Sequence, residues 1–550
     1  MFQVRSPVCR SMQTRDGVRL DADVYYPDIE GDFPVLLMRQ PYGRSIASTV
    51  VYAHPSWYAA QGYIVVIQDV RGRGSSEGAF RLFETEIADG EDSVTWAATL
   101  PDSDGNVGMY GFSYQGMTQL YAAAARPPAL KTICPAMIGY DLYADWAYEG
   151  GAFCWQANLG WAMQLAAETA RLQGKETDFL RLAAAAKSLP LQDAMPVDAE
   201  LLRSLAPDSF YHDWLHRPAD DPYWAKLSPK TYAQPLAHLP MLHIGGWFDT
   251  FARGTLALYQ AMNAISDRPQ HLIMGPWAHL PWGRRVGELD FGPAAVNPID
   301  KLQLQWFDYW LKGIDKTAEQ NMINGPSVRL FAMGQDDWLL HDRYPTEAKP
   351  QVLYLHPTGL TAMGDGLLSP ALPHAVVPQP DRWVHDPWRP VPALGGHAST
   401  PAGPMERSAI DDRSDVLTYT TEILTESLHI IGAPQLIVDC TADATSWDLA
   451  VVLSDVHPNG KVYNFTQGYQ RRDRQANSAP ICLTLQSTCM VLPKGHRLRV
   501  SISASAYPAY PVNPGNGDRP ETARRIDQRI ITLSLHSTRD RPTYLKFAAI

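Results

Sequence analysis

Short, uninterrupted apolar runs separated by helix-length segments constrain this chain more than any other feature. Pro34-Val-Leu-Leu-Met-Arg39 and Tyr63-Ile-Val-Val-Ile-Gln-Asp69 are too short for helices and apolar on both faces, the pattern of strands covered on both sides. A half-buried strand is expected before them over 18–26, where polar and apolar residues alternate. Helices are expected over about 49–60, interrupted near Pro55, and over 86–100. The next apolar strand closes a β-α-β-α-β series, the signature of a parallel α/β sheet. Further strands are expected at 130–135, 240–246 and 271–275, with helices over about 253–264 and 300–311.

Two stretches break this rhythm. From about 141 to 235 apolar residues recur at helical spacing, as in Trp161-Ala-Met-Gln-Leu-Ala-Ala, and no strand interrupts them. This reads as a helical insertion. Beyond about 345, strand-like runs at 351–355, 436–439, 449–453, 461–465, 498–503 and 530–535 are separated by Pro, Gly and Asn turns, as in an all-β sandwich or jelly roll. Residues 356–405, rich in Pro and Gly, are expected to run extended against neighbouring domains. The expected division is therefore 1–140 with 236–345, 141–235, and 346–550.

Charge narrows the function classes. A net charge of −11 argues against a nucleic-acid partner, which needs a basic face. No stretch of about 20 apolar residues is present, and the N-terminus lacks a signal-peptide pattern, so a soluble, cytoplasmic protein is expected. The six cysteines lack CxxC and zinc spacing. Cys482 and Cys489 could lie on neighbouring strands, but buried free thiols are the expectation. No metal or other cofactor is expected; oligomeric state stays open.

The chemistry concentrates at Asn106-Val-Gly-Met-Tyr-Gly-Phe-Ser-Tyr-Gln-Gly-Met-Thr-Gln-Leu120, a strand, a tight turn and a helix that Pro127 stops. A serine at such a turn exposes its hydroxyl beside free helix N–H groups. The literal G-x-S-x-G match lies elsewhere, at Gly74-Ser75-Ser76-Glu77-Gly78, but that loop opens no helix, so Ser113 is the expected nucleophile. A serine needs an imidazole to take its proton and a carboxylate to orient the imidazole. Asp249 and His279 follow in that order, each just beyond the end of an expected strand. Tyr114 would offer its backbone N–H to an oxyanion, and Tyr42, in the loop after an early strand, its hydroxyl.

At these residues the chain resembles the CocE/NonD hydrolases, a group related to α-amino-acid ester hydrolases and S15 X-Pro dipeptidyl-peptidases. The resemblance rests on Pro41-Tyr-Gly, Val65-Val-Ile-Gln-Asp-Val-Arg-Gly, Ser76-Glu-Gly, the 104–119 segment, Gly246-Trp-Phe-Asp and Gly275-Pro-Trp-Ala-His. It implies an α/β-hydrolase domain with a helical cap and a C-terminal jelly roll. It also implies a Ser113–His279–Asp249 triad, a Tyr42/Tyr114 oxyanion hole, and an acyl pocket lined by Trp146, Trp161 and Phe251. The implied activity is cofactor-free hydrolysis of a small-molecule ester through an acyl-enzyme. Peptide or amide hydrolysis of the X-Pro dipeptidyl-peptidase or acylase type is the alternative, and non-catalytic carbohydrate binding a second one. The α-amino-acid ester hydrolases carry carboxylates for the substrate ammonium, some shortly after the triad Asp. Here Thr250, Phe251 and Ala252 follow it, and only Asp145 or Glu149 could supply such a charge, so a neutral or aromatic acyl group is expected.

Overall fold

The computed structural model describes all residues except 46–48, 192–196, 316–322, 374–378, 474–479 and 521. The apolar runs become the interior of a ten-stranded sheet among these residues. Its strands are β1 (Val8–Gln13), β2 (Arg19–Tyr25), β3 (Phe33–Gln40), β4 (Ile64–Asp69), β5 (Ser103–Phe112), β6 (Leu130–Ala136), β7 (Met241–Phe248), β8 (Gln270–Ala278), β9 (Val328–Ala332) and β10 (Asp337–His341). They lie in the order β1-β2-β4-β3-β5-β6-β7-β8-β9-β10. From β4 to β9 neighbouring strands run parallel, and the antiparallel pairs lie at the two edges.

Helices cover both faces, which is why the central strands carry no polar alternation. Helices α2 (Glu86–Ala97) and α3 (Tyr114–Ala124) pack into one apolar cluster with Val35, Leu37, Val66 and Met109. On the opposite face α1 (Pro55–Ala59) and α6 (Ile299–Lys312) cover Leu36, Met38, Val65 and Ile67. The helix expected over 49–60 is confined to α1, capped by the His54 ring at the Ser56 N–H. The strands β1, β9 and β10 are additions to the sequence reading.

Between β6 and β7 the chain is largely helical, led by α4 (Trp155–Leu172), and α5 (Ala252–Ile265) follows β7. The expectation that no strand interrupts the insertion is incorrect. Tyr148–Glu149 and Ala152–Phe153 form a two-stranded hairpin, too short to leave a periodic trace in sequence. Its turn docks on the C-terminal sheet: the Gly150 carbonyl accepts from Arg471 N–H at 2.8 Å and Gln470 Nε2 at 3.1 Å.

The C-terminal part is an all-β domain, a twelve-stranded assembly among the described residues. Each run expected there overlaps a strand: Lys349–His356, Leu428–Ala442, Trp447–Val456, Val462–Arg472, Arg497–Ser503 and Ile531–His536. Leu428–Ala442 is its spine, pairing with Ile481–Thr484, Thr488–Leu492, Ile531–His536 and Tyr544–Ala549. Within 356–405 the chain is not extended throughout, since Thr361–Met363 is a 3₁₀ turn, while Gly366–Ser369 and Asp381–His385 pair as strands of this domain. All six cysteines are free; Cys9 and Cys482 are exposed, against the expectation of burial. The described part of the chain contains no helix long and apolar enough to cross a membrane.

Candidate active site

Ser113 occupies the turn between β5 and α3 with φ 60° and ψ −126°, a conformation that costs a non-glycine residue energy unless its surroundings enforce it. The enforcement is visible. Its N–H donates to the Ala136 carbonyl of the neighbouring β6, and its own carbonyl accepts from Met117 N–H, both at 2.9 Å. The flanking glycines let the turn close. A Cβ on Gly111 would lie 2.4 Å from Gln115 Cβ, and one on Gly116 2.4 Å from Ile138 Cγ2 and 2.8 Å from the Ala136 carbonyl. The second glycine therefore serves contact between helix and sheet, one residue later than the literal motif places it.

The Ser76 loop has a structural role. Ser76 Oγ donates to the Asp69 carbonyl at 2.8 Å and accepts from Asp21 N–H at 2.9 Å. Its hydroxyl is consumed in tying the loop to β2 and β4.

Asp249 follows the end of β7 and is fully buried; its Oδ1 lies 2.8 Å from Nδ1 of His279, just beyond β8. With Nδ1–H committed to the carboxylate, Nε2 is the nitrogen free to accept a proton. The His279 ring is clamped by Phe112 at 5.4 Å and Phe251 at 5.0 Å between centroids, and its carbonyl accepts from Trp282 Nε1 at 3.1 Å. Phe112 immediately precedes Ser113, so the imidazole stands beside the Ser113 turn.

The end of β7 and the Asp249 turn after it are held from outside the α/β domain. Gln486 of the β domain donates through Nε2 to the carbonyls of Trp247 at 2.8 Å and Asp249 at 3.1 Å. Its position is fixed by its own N–H to the Gln467 carbonyl, and Thr466 Oγ1 caps its carbonyl at 2.6 Å.

The Tyr42 hydroxyl accepts from Trp161 Nε1 at 3.0 Å, and the Ser113 side chain is among the groups that act on the phenol. Burial pushes the phenol up to about 12, against the opposing effects of Trp161, Arg73 and Ser113, so Tyr42 stays protonated at neutral pH. Tyr114 presents its N–H in the first turn of α3, where helix N–H groups lack intrahelical partners. Its side chain points the other way, into a buried chain in which Tyr114 Oη donates to Glu86 at 2.8 Å and Glu86 pairs with Arg39 at 2.5 Å.

Trp146, Trp161 and Phe251 form one aromatic cluster. Trp146 packs on Phe251 at 4.1 Å and on Trp161 at 5.2 Å. Phe83 joins them, 4.7 Å from Tyr114 and 5.8 Å from Trp146, with a left-handed φ of 61°. Phe83 carries no sequence mark, because its placement comes from a backbone conformation that residue type does not announce. Phe210 extends the cluster at 4.8 Å from Trp161.

The two cap carboxylates are both engaged. Asp145 Oδ2 accepts from Tyr140 N–H at 3.2 Å and Asp141 N–H at 2.7 Å. Glu149 Oε2 meets Arg253 at 2.9 Å, His397 at 2.8 Å and Tyr510 at 2.5 Å.

Comparison with known proteins places the chain in a family. Residues 16–281 match the X-Pro dipeptidyl-peptidase (S15 family) model, and residues 321–545 match the X-Pro dipeptidyl-peptidase C-terminal non-catalytic domain. Cocaine esterase of a Rhodococcus species is 33% identical over 92% of this chain and 91% of its own length. The chain belongs to the CocE/NonD-like S15 hydrolases. It is a serine ester hydrolase in class, and the α/β-hydrolase domain with cap and C-terminal β domain is the architecture of this family. The fold is shared with an aminopeptidase from a marine sediment Thaumarchaeota archaeon, at TM-score 0.82, 24% identity and coverage of 100% of this chain and 97% of the other. An α-amino acid ester hydrolase superposes with TM-score 0.80 at 23% identity, covering 100% of this chain and 97% of its own.

Proposed function

We propose that this hydrolase cleaves carboxylic esters with a neutral, apolar or aromatic acyl group through an acyl-enzyme on Ser113. His279 Nε2 takes the Ser113 proton as Oγ attacks the ester carbonyl, and then delivers it to the departing alcohol. Asp249 holds the imidazole in the required tautomer and stabilises the imidazolium. The oxyanion is met by the Tyr42 hydroxyl and the Tyr114 N–H. Water, deprotonated by the same imidazole, releases the acid, with Trp146, Trp161 and Phe251 around the acyl group.

The observation that carries this reading is the joint commitment of Tyr42. Its hydroxyl accepts from Trp161 and interacts with the Ser113 side chain, so a donor whose own proton is not given to Trp161 stands by the serine and acyl-side aromatic and oxyanion donor are tied together. The prior engagement of Asp145 and Glu149 supports an uncharged acyl group, since neither carboxylate is uncommitted for a substrate ammonium. The small-molecule partner is accordingly an ester.

A fluorophosphonate probe followed by mass spectrometry is expected to label Ser113, and Ser113→Ala to abolish both labelling and turnover. Parallel rates on aryl acyl esters, free α-amino esters and X-Pro amides test the acyl preference. Faster turnover of the α-amino or X-Pro substrates would replace this reading with the aminopeptidase-like one. Ester cleavage undiminished in Ser113→Ala would remove the mechanism.

A further inference from the structure

Asp455, His457 and His496 meet at the end of a β hairpin in the C-terminal domain, and we infer that they form a binding site for a zinc-type divalent cation. Asp455 and His457 are two residues apart where the strand Trp447–Val456 enters its turn, so their side chains leave the chain on the same side. His496 immediately precedes the strand Arg497–Ser503, whose pairing sets Asp455 opposite Leu498 and Val456 opposite Arg497. The ladder thus delivers the third side chain to the first two.

The distances suit a metal. One ligand atom from each residue lies within 4.8 Å of the other two. Asp455 Oδ1 is 2.8 Å from His496 Nδ1, and Oδ2 is 3.2 Å from a nitrogen (Nε2) of His457. Zinc–nitrogen and zinc–oxygen bonds of about 2.0–2.1 Å separate tetrahedral ligands by about 3.3 Å, so both carboxylate–imidazole separations already lie within about half an ångström of that spacing. Two imidazoles and one carboxylate are a borderline-soft donor set, suited to zinc, cobalt or nickel rather than calcium or magnesium. The carboxylate is buried while the His457 side chain remains 29% exposed. That gives a closed floor and an entry path, with water as the fourth ligand.

The rings are also pre-positioned. His457 packs against His496 at 4.6 Å and against Tyr463 at 5.1 Å between centroids. The turn that carries His457 is closed by His457 N–H to the Lys461 carbonyl at 2.9 Å and Gly460 N–H to the His457 carbonyl at 2.9 Å. A bound ion would pin this turn to the start of Arg497–Ser503. Sequence spacing conceals the trio, because His496 is far from the Asp-x-His pair in the chain.

The full-length enzyme, stripped with a chelator and dialysed, is titrated with zinc chloride by calorimetry and with cobalt chloride by visible absorption. The result expected is one high-affinity equivalent and a tetrahedral or five-coordinate cobalt d–d band. In His457→Gln that equivalent is lost or weakened at least about tenfold, with ester turnover unchanged because His457 lies outside the catalytic machinery. Asp455→Asn is a second variant, checked for folding by circular dichroism. Absence of a stoichiometric equivalent in the wild-type protein, or identical titrations in wild type and His457→Gln, would overturn the proposal.

Discussion

Gln486 Nε2 donates to the main-chain carbonyls of Asp249 and Trp247, at 3.1 and 2.8 Å, so the β domain grips the loop that carries the proposed catalytic acid. At a net gain of about 1 kcal/mol per hydrogen bond, the two bonds together hold this loop by about 2 kcal/mol. Gln486→Leu is expected to lower kcat about tenfold with KM changed less than about twofold, and to cost about 2 kcal/mol of stability. Steady-state kinetics and urea unfolding test the pair of effects. Loss of stability with kcat intact would show that the Asp249 loop holds its geometry unaided.

Trp161 separates two roles by a single atom. Trp161→Phe keeps an aromatic surface against Trp146 but removes the N–H that fixes the Tyr42 hydroxyl. It is expected to lower kcat by about tenfold, less than Tyr42→Phe, for which loss of an oxyanion donor predicts about 10²–10³. An unaltered kcat in Trp161→Phe, with KM raised, would reduce Trp161 to an acyl contact.

Acid sensitivity should centre on Glu149. Burial opposes its ionisation, but Arg253, His397 and Tyr510 outweigh that effect and hold the carboxyl well below the usual range. A carboxylate whose folded-state pKa is depressed adds stability that is complete above its unfolded pKa and is withdrawn as pH falls towards the folded value. Melting temperatures between pH 7 and pH 3 should therefore fall more steeply for the wild type than for Glu149→Gln, once below about pH 4.5. Parallel curves would exclude Glu149 as a source of the acid loss.

The hairpin turn offers a steric test. Gly150 has φ 52°, and a Cβ there would lie 1.9 Å from the Tyr469 carbonyl oxygen in the β domain. Gly150→Ala must push the cap hairpin off that backbone, at a cost on the order of 1–3 kcal/mol. Protection of the Tyr148–Phe153 amides from hydrogen exchange should drop together with the melting temperature; retention of both would mean that the interface yields without penalty.

What sequence discloses about this molecule follows the range of the interactions involved. The Ser113 turn, Asp249 and His279 are legible because each sits at the end of an apolar run, where strand order alone places chemistry. The α/β alternation is legible for the same local reason. Phe83 and the 148–153 hairpin are not, since one depends on an unusual backbone angle and the other on a docking partner more than 300 residues away. Gln486 is equally silent, a glutamine in a strand-rich region whose meaning lies in two carbonyls of another domain. Trp161 as a pocket wall is implied by the family resemblance alone; its hydrogen bond to Tyr42 comes from the way α4 crosses the loop after β3.

Glu149 belongs to the cap, Arg253 to the helix after the proposed catalytic acid, and His397 and Tyr510 to the β domain, yet they share one carboxylate oxygen. Exchange of pocket walls between relatives therefore cannot treat the cap as an interchangeable cassette. A grafted cap lacking this carboxylate would leave a guanidinium, an imidazole and a phenol facing one another without an anion. Chimeras in this architecture should be cut so that all four residues travel from the same parent.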